Sequence, residues 1–216
     1  MNIILFGPPG AGKGTQADIL VQFYELHKVS TGDLLRDEIK NNTDLGSKIK
    51  FLIDRGELVS DDIINNLIIK ILSNKKFYNR LIFDGYPRNL NQAKKLDLLL
   101  KEYKQKISSV FSLEVNRESI IKRVIGRQIC SKCGLTFNKF FNQATKKNHQ
   151  CEIKFLQKRS DDNEKTVRNR FETYSKEALP ILDYYQNQNL LYEIDGTDHI
   201  DKIYKEIRRI IHSLET

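Results

Sequence analysis

A glycine-rich segment near the start of the chain contains residue types that bind phosphate. Residues 7–15 read GPPGAGKGT; the apolar run 3–6 precedes them, and apolar residues at helical spacing follow. A buried strand, a glycine turn and a helix in this order direct backbone N–H groups inward. They also place the positive end of the helix beside the ammonium group of Lys13. This segment, called the glycine loop below, therefore predicts a site for a nucleotide polyphosphate. The alternative is a glycine-rich turn that binds no ligand.

The spacing in the glycine loop differs by one residue from the common phosphate-binding pattern. The Walker A motif has Gly, four residues, Gly, Lys and then Ser or Thr. Gly7, Gly12 and Lys13 fit this motif, but Gly14 occupies the hydroxyl position and Thr15 comes one residue later. With its displaced hydroxyl, the loop resembles that of nucleoside monophosphate kinases more than that of GTPases or ATPase motors.

Predicted strands and helices alternate along the chain. Short apolar runs predict strands at 3–6, 28–30, 81–83, 110–115 and 190–194. Helical spacing predicts helices from Lys13 and over 34–39, 45–55, 61–72, 91–103, 118–125, 163–185 and 200–214. This alternation predicts an α/β fold, with a parallel five-stranded sheet that is covered by helices on both faces.

Three of the predicted strands end in conspicuous polar residues, and ligands of such sheets bind beyond the carboxyl ends of the strands. These ends are the glycine loop, residues 30–33 (STGD) and residues 84–88 (DGYPR). In finer detail, Thr31 or Asp33 is predicted to cap the helix over 34–39. Ile63, Leu67 and Leu72 are predicted to face the core.

Composition limits the classes of protein to be considered. The 216 residues carry a formal net charge of +8, and the lysines lie mostly in short solvated runs. No apolar run approaches the length that spans a membrane, and no signal peptide is expected because a buried strand begins at residue 3. We therefore expect a cytoplasmic, monomeric protein that binds no membrane. Its basic surface could attract nucleic acid, but it equally suits an enzyme whose substrates are polyanions, and we expect the enzyme rather than a nucleic-acid-binding protein.

Residues 126–162 interrupt the alternation and are called the inserted segment. They hold all three cysteines, an odd number that does not make a disulfide framework. Cys130 and Cys133 form a C-x₂-C pair before a glycine, a turn that suits tetrahedral Zn²⁺, and Cys151 lies at a spacing found in zinc sites. His149 is the nearest fourth ligand and Glu152 is another. We predict a structural zinc bound by Cys130, Cys133, His149 and Cys151; the alternative is free thiols.

The motifs of this chain, in their order and spacing, resemble those of the adenylate kinase family over nearly the whole length. The matching stretches are 7–15, 30–36, 56–59, 83–88 with Gln92, Arg123 with 126–127, and 159–162 with Arg170. The inserted segment resembles the lid of the long-form members. It departs from zinc-bearing members, which have Cys or Asp where this chain has Asn148 or Lys154.

The resemblance implies a P-loop α/β fold and the reaction in which MgATP and AMP give two ADP. It implies three parts: a core of residues 1–29, 60–125 and 163–216, a helical AMP-binding lobe of residues 30–59, and a lid of residues 126–162, which the zinc ion predicted from the cysteine spacing would staple. Transfer between two nucleotides brings many anionic oxygens together, so it needs permanently charged arginines rather than a strong base.

The resemblance also implies roles for individual residues. The ATP site would contain Gly10, Ala11, Gly12, Lys13, Gly14, Thr15, Arg123, Arg127, Thr136, Phe137 and Asp198. The AMP site would contain Thr31, Arg36, Glu57, Leu58, Val59, Gly85, Tyr86, Pro87, Arg88, Gln92, Arg159 and Arg170. The catalytic groups would be Lys13, Asp84, Arg88, Arg123, Arg159 and Arg170. Asp84 would hold the waters of the Mg²⁺ ion; alternatively, it only caps the following turn.

Two other functions stay open at this point. One is a kinase for UMP, CMP or GMP, although Thr31, Gln92 and the long lid match the adenylate type. The other is a nucleic-acid-binding protein that uses the cysteine knuckle and the positive charge. This second function leaves the glycine loop, Asp84 and the ordered arginines without a purpose.

Overall fold

The computed structural model describes residues 1–215, with side chains described through residue 214, and confirms the alternation of strands and helices. The strands are β1 (Asn2–Phe6), β2 (His27–Ser30), β3 (Leu81–Asp84), β4 (Ser109–Glu114), β5 (Arg127–Cys130), β6 (Thr136–Asn138), β7 (Leu156–Gln157) and β8 (Leu191–Asp195). The α-helices are α1 (Lys13–Tyr24), α2 (Thr31–Lys40), α3 (Asp44–Arg55), α4 (Asp61–Leu72), α5 (Leu90–Glu102), α6 (Arg117–Ile125), α7 (Glu164–Gln186) and α8 (Ile200–Glu215). Short 3₁₀ turns lie at Lys75–Phe77 and Ile153–Phe155.

The central sheet has five parallel strands, as predicted. Their order is β2-β3-β1-β4-β8. Its middle strand is buried on both sides, which explains why the run 3–6 shows no polar alternation. Ile4 packs with the residues of α4, α5 and α7, and Ile3 and Leu5 pack on the opposite face with those of α1 and α8. The two apolar layers fix the sheet between the helices.

The carboxyl ends of three neighbouring strands lie side by side. Asp84 of β3 pairs in register with Ser30 of β2 on one side and with Leu5 of β1 on the other. The glycine loop follows β1 directly, so it lies next to the residues that follow β2 and β3. This edge of the sheet is where the sequence predicts the ligand site.

Two local predictions were wrong. Helix α2 begins at Thr31 rather than at Leu34, because Ser30 is its N-cap and accepts a hydrogen bond of 3.3 Å from the backbone N–H of Asp33. Thr31 and Asp33 are therefore residues of the first helical turn and not its cap.

The second wrong prediction concerns the buried face of α4. Leu72 is buried as predicted, but its buried companions are Ile64 and Ile68 rather than Ile63 and Leu67. Ile63 and Leu67 are only partly buried at the margin of the same cluster. The buried face of α4 is therefore shifted by one residue from the predicted one over most of the helix, which packs on α5.

The inserted segment forms a small sheet of its own. Its three strands are antiparallel in the order β6-β5-β7, and they make no ladder with the central sheet. Within the part of the chain that the structure describes, no helix is both long and apolar enough to span a bilayer.

Candidate active site

A cavity of about 1100 Å³ opens beyond the carboxyl ends of β1, β2 and β3. Its walls come from the glycine loop, from α2 and α3, from the turn after β3, from the inserted segment and from the turn before α8. Segments far apart in sequence thus share one space that is large enough for two nucleotides.

The glycine loop curls around the start of α1. Gly10 and Gly12 have φ of 85° and 103°, in the left-handed region that favours glycine. A β-carbon on Gly10 would lie 2.7 Å from Val124 Cγ2, so this position has no room for a side chain. The curl leaves the N-terminus of α1 facing the cavity.

The ammonium group of Lys13 lies within the curl of the glycine loop. Its Nζ donates to the carbonyl oxygens of Gly7 at 2.7 Å and Pro8 at 2.9 Å. Desolvation of the ammonium group lowers the pKa of Lys13 to about 8, and the positive charges of Arg88, Arg127 and Arg170 act in the same direction. Asp84 opposes them. The site therefore gains free energy when an anion enters it.

Arginines from four segments surround the same space. Desolvation and the charges of Arg170 and Arg36 lower the pKa of Arg88 to about 10. Desolvation and the charges of Arg127 and Arg36 lower the pKa of Arg159 to about 10 as well. The fold thus holds several guanidinium groups close to one another. Clusters of like charge with lowered pKa values are typical of sites that bind polyanions.

Three carboxylates occupy the gaps between these arginines. Asp33 and Asp161 both contact Arg36, Asp33 at a very short distance and Asp161 at 3.7 Å; Asp161 also pairs with Arg170. Burial alone would raise the pKa of Asp33, but Arg36 and Arg159 lower it to about 2. Asp162 pairs with Arg127 through two hydrogen bonds. From the sequence, Asp33 was predicted only to cap a helix, and Asp161 and Asp162 were given no role; for these two, the motif 159–162 that they share with Arg159 was the available signal.

A narrow side cleft continues from the cavity and collects most of the residues predicted for AMP. It is lined by Thr31, Leu35, Ile53, Glu57, Leu58, Val59, Ile64, Tyr86, Arg88 and Gln92. Gln92 is buried; its Oε1 accepts from the Arg88 N–H at 2.7 Å, and its Nε2 donates to Asp61 at 2.7 Å. Thr31 Oγ1 donates to the Gly85 carbonyl at 3.2 Å. Pro87 lines the main cavity beside Gly85.

The opposite end of the cavity collects the residues predicted for ATP outside the glycine loop. Arg123 donates to the carbonyls of Ala11 at 3.1 Å and Gly196 at 2.8 Å. Thr136, Phe137 and Asp198 line the wall, but Phe137 is buried and its ring packs edge-on to His149 at 4.8 Å. Phe141, which the sequence analysis missed, places its ring 5.7 Å from the guanidinium of Arg123. Both Phe141 and the neighbouring Phe140 are exposed, and only the position of Phe141 beside Arg123 in the cavity wall distinguishes them.

Asp84 fits the chemistry of a magnesium site. Its side chain is 14% exposed, stands at the end of β3 and faces the first turn of α1. A methyl group placed on Gly14 would lie 3.3 Å from Asp84 Oδ2, so the carboxylate adjoins the loop that would hold phosphates. Carboxylates that contact Mg²⁺ directly or through water are usual in kinase sites.

The inserted segment brings four candidate zinc ligands together. One ligand atom from each of Cys130, Cys133, His149 and Cys151 lies within 4.8 Å of all the others. Glu152, the other candidate, pairs instead with Lys154 at 2.8 Å on the surface. Three thiolates and one imidazole make a donor set that structural zinc favours. The residues therefore fit the metal.

Comparisons with known proteins agree with this arrangement. The family model described as adenylate kinase matches residues 5–190. A Pelagibacter ubique protein named adenylate kinase is 47% identical over 211 residues, which are 98% of this chain and 99% of that protein. Proteins of the same name from Petrotoga mobilis and Methanosarcina barkeri are 40% and 43% identical, and each alignment covers at least 98% of both chains. This chain belongs to the adenylate kinase family.

Proposed function

We propose that this chain catalyses the reversible transfer of a phosphoryl group from MgATP to AMP, which gives two ADP. The observation that carries the proposal is the cavity in which Lys13 and arginines from separate segments surround one space. The relatives named adenylate kinase support the same reaction.

The ATP phosphates would lie on the glycine loop. Backbone N–H groups of Gly10, Ala11, Gly12, Gly14 and Thr15 and the ammonium of Lys13 would contact them, since a helix N-terminus and a lysine together favour polyphosphate. Arg123 and Arg127 would contact the same phosphates from the other side. The space between Arg123 and Phe141, bordered by Thr136, Phe137 and Asp198, is where the base would lie.

AMP would lie in the main cavity against the side cleft, whose own volume of about 10 Å³ is too small for a nucleotide. Arg36 and Arg88 would hold its phosphate, and Thr31, Gly85 and Gln92 would frame its base and ribose with the backbone of Glu57, Leu58 and Val59. Tyr86 would shape the cleft from the core, because its ring is buried and its hydroxyl donates to Asn65. Pro87 would form the wall between the two nucleotides.

Catalysis would come from position and charge rather than from a base. The acceptor phosphate of AMP is already anionic, so no proton needs to be removed before attack. Arg88, Arg123, Arg159 and Arg170 would neutralise the charge that spreads over the transferring group, and guanidinium forks match its oxygens. Closure of the AMP-binding lobe and of the lid over the core would exclude water and prevent hydrolysis of ATP.

Two metal ions complete the proposal. Asp84, with Thr15 nearby, would hold the hydrated Mg²⁺, which neutralises phosphate charge when bound. Cys130, Cys133, His149 and Cys151 would hold a structural Zn²⁺ that staples the lid, which has only a small core of its own.

Because one chain supplies every wall of the cavity, we also propose a monomer. Cys130, Cys133 and Cys151 form no disulfide, which suits the cytoplasm that we propose for the protein.

A coupled assay of ADP formation with AMP, UMP, CMP and GMP tests this function. We expect the largest kcat/KM for AMP, because Thr31 and Gln92 match the adenylate type of monophosphate kinase. A preference for UMP would identify the other class of monophosphate kinase. Tight, salt-sensitive binding of RNA without any ADP formation would instead identify a nucleic-acid-binding protein.

A further inference from the structure

Lys28 lines the main cavity but has no part in the function proposed above. It belongs to β2, and its side chain is 24% exposed. Its Nζ lies 2.8 Å from Asp18 Oδ1 on α1 and 3.9 Å from Asp84 Oδ2 on β3. The ammonium group is therefore shared between two carboxylates, of which Asp84 is the candidate magnesium residue.

The position of Lys28 relative to the glycine loop is equally specific. A methyl group on Gly14 would lie 3.3 Å from Asp84 Oδ2 and 3.8 Å from Lys28 Nζ. Both charged groups thus adjoin the helical turn at which the Walker A motif would carry its hydroxyl. An ordinary ion pair at the surface of β2 and α1 would not be expected at this point.

We propose that Lys28 weakens the binding of Mg²⁺ at Asp84 and that Asp18 limits this effect by drawing the ammonium group away. The inference rests on the proposed function, because it concerns the metal that accompanies ATP. Lys28 is a positioning residue: it acts on the metal through the carboxylate of Asp84 and contacts no reacting atom.

The sign of each effect on Mg²⁺ affinity follows from the charges of Lys28 and Asp18. An ammonium group about 4 Å from a carboxylate neutralises part of its field, and a divalent cation near the same carboxylate is repelled by that ammonium. Asp18, which lies closer to Nζ, divides the attraction and leaves Asp84 partly available. Removal of the lysine therefore strengthens metal binding, whereas removal of Asp18 lets the lysine turn fully to Asp84 and weakens it.

Mn²⁺ binding, measured from the free-ion signal in electron paramagnetic resonance, tests the proposal without any turnover. The protein is saturated with a bisubstrate inhibitor, two adenosines joined by a polyphosphate, and titrated with Mn²⁺. We expect Lys28→Met to bind Mn²⁺ about fivefold more tightly, and Asp18→Asn to bind it about threefold more weakly. Because Asp18 acts through Lys28, the double variant should match Lys28→Met.

Matched variants separate this effect from general changes of charge or stability. Lys94→Met, on the exposed face of α5, removes the same charge at a distance and should leave Mn²⁺ affinity unchanged. Lys28→Gln serves in place of Lys28→Met if the apolar side chain disturbs folding, which far-UV circular dichroism detects. If the ion pair of Lys28 and Asp18 were only structural, both single variants would lower the Tm and neither would change Mn²⁺ affinity. This result would overturn the proposal.

Two further outcomes are informative. Weaker inhibitor binding by Lys28→Met with unchanged Mn²⁺ affinity would make Lys28 a phosphate contact and would refute the inference alone. Failure of the wild-type protein to bind the inhibitor at all would refute the proposed function itself.

Discussion

Substitution of Asp162 by asparagine removes one charge from a buried ion pair at the end of the inserted segment. The Asp162 side chain is 0% exposed and that of Arg127 is 17% exposed. Arg127 donates through Nε to Oδ2 at 2.8 Å and through Nη2 to Oδ1. Burial alone would lower the pKa of Arg127, but the hydrogen bonds and charge of Asp162 outweigh it and raise the pKa. Removal of the Asp162 charge therefore lowers the pKa of Arg127, but an arginine stays protonated near pH 7, so a charged guanidinium is left without its partner.

The loss of one member of a buried ion pair costs about 3–5 kcal/mol of unfolding free energy. Asparagine keeps the shape and one acceptor oxygen, so the lower end, about 3 kcal/mol, is the better expectation. For a chain of this length, each kcal/mol lowers the Tm by about 2–4 °C, so the Tm should fall by about 6–12 °C. This holds if the inserted segment unfolds together with the core.

Differential scanning calorimetry measures the change, and Glu164→Gln is the matched control. Glu164 lies two residues further along and pairs with Arg168 on the surface, where the side chains are 58% and 47% exposed. An exposed pair of this kind contributes about 0.5 kcal/mol or less. Amide hydrogen exchange over residues 127–157 shows whether the inserted segment opens separately from the core. If it does, the lost free energy of Asp162→Asn appears as faster exchange in these residues.

Equal shifts of the Tm in Asp162→Asn and Glu164→Gln, with unchanged exchange over 127–157, would refute this reasoning. The double variant Arg127→Met/Asp162→Leu supplies a second test. Replacement of both charges by apolar side chains leaves no unpaired ion, so it should be more stable than Asp162→Asn.

Three other predictions follow from the site. Arg88→Ala should lower kcat by at least about a hundredfold in the ADP assay with an unchanged circular dichroism spectrum, because one charge-stabilising donor is lost; near wild-type turnover would contradict its role. Because the pKa of Lys13 is about 8 in the ligand-free protein, ATP phosphates should raise it, so binding at pH 8 takes up about half a proton. Calorimetry in buffers of different ionisation enthalpy measures this uptake, and Lys13→Met should abolish it. The unfolded chain binds this proton more tightly, so the same group makes stability rise between pH 8 and 10.5. Cys151→Ser should lose zinc by elemental analysis and lower the Tm, whereas Ser131→Ala should do neither; full zinc content in Cys151→Ser would remove that ligand from the set.

Much of the fold could be predicted because its signals are local. The apolar run 3–6 and the helical spacing after Lys13 report burial directly, and the positive φ of Gly56 ends α3 where the sequence predicts. The start of α2 was misplaced because Ser30, Thr31 and Asp33 are all good caps. The hydrogen bond that decides among them depends on where β2 ends.

The site could be predicted only in part, for a similar reason. Lys13, Arg88 and Asp84 follow strand ends, so their position is implied by the sheet. Lys28 and Asp162 gain their meaning from partners on other elements, 10 and 35 residues away. Nothing in their immediate sequence indicates those partners. Phe141 likewise gains its place in the cavity wall from Arg123, a residue on another element.

The carboxylates of Asp33 and Asp161 have a consequence for substrate exchange. They pair with the guanidinium groups of Arg36, Arg159 and Arg170, which line the cavity. On the proposed function, an arriving phosphate would compete with these carboxylates for the same guanidinium groups. The protein would thus supply its own competing anion, and this competition would lower its affinity for nucleotides.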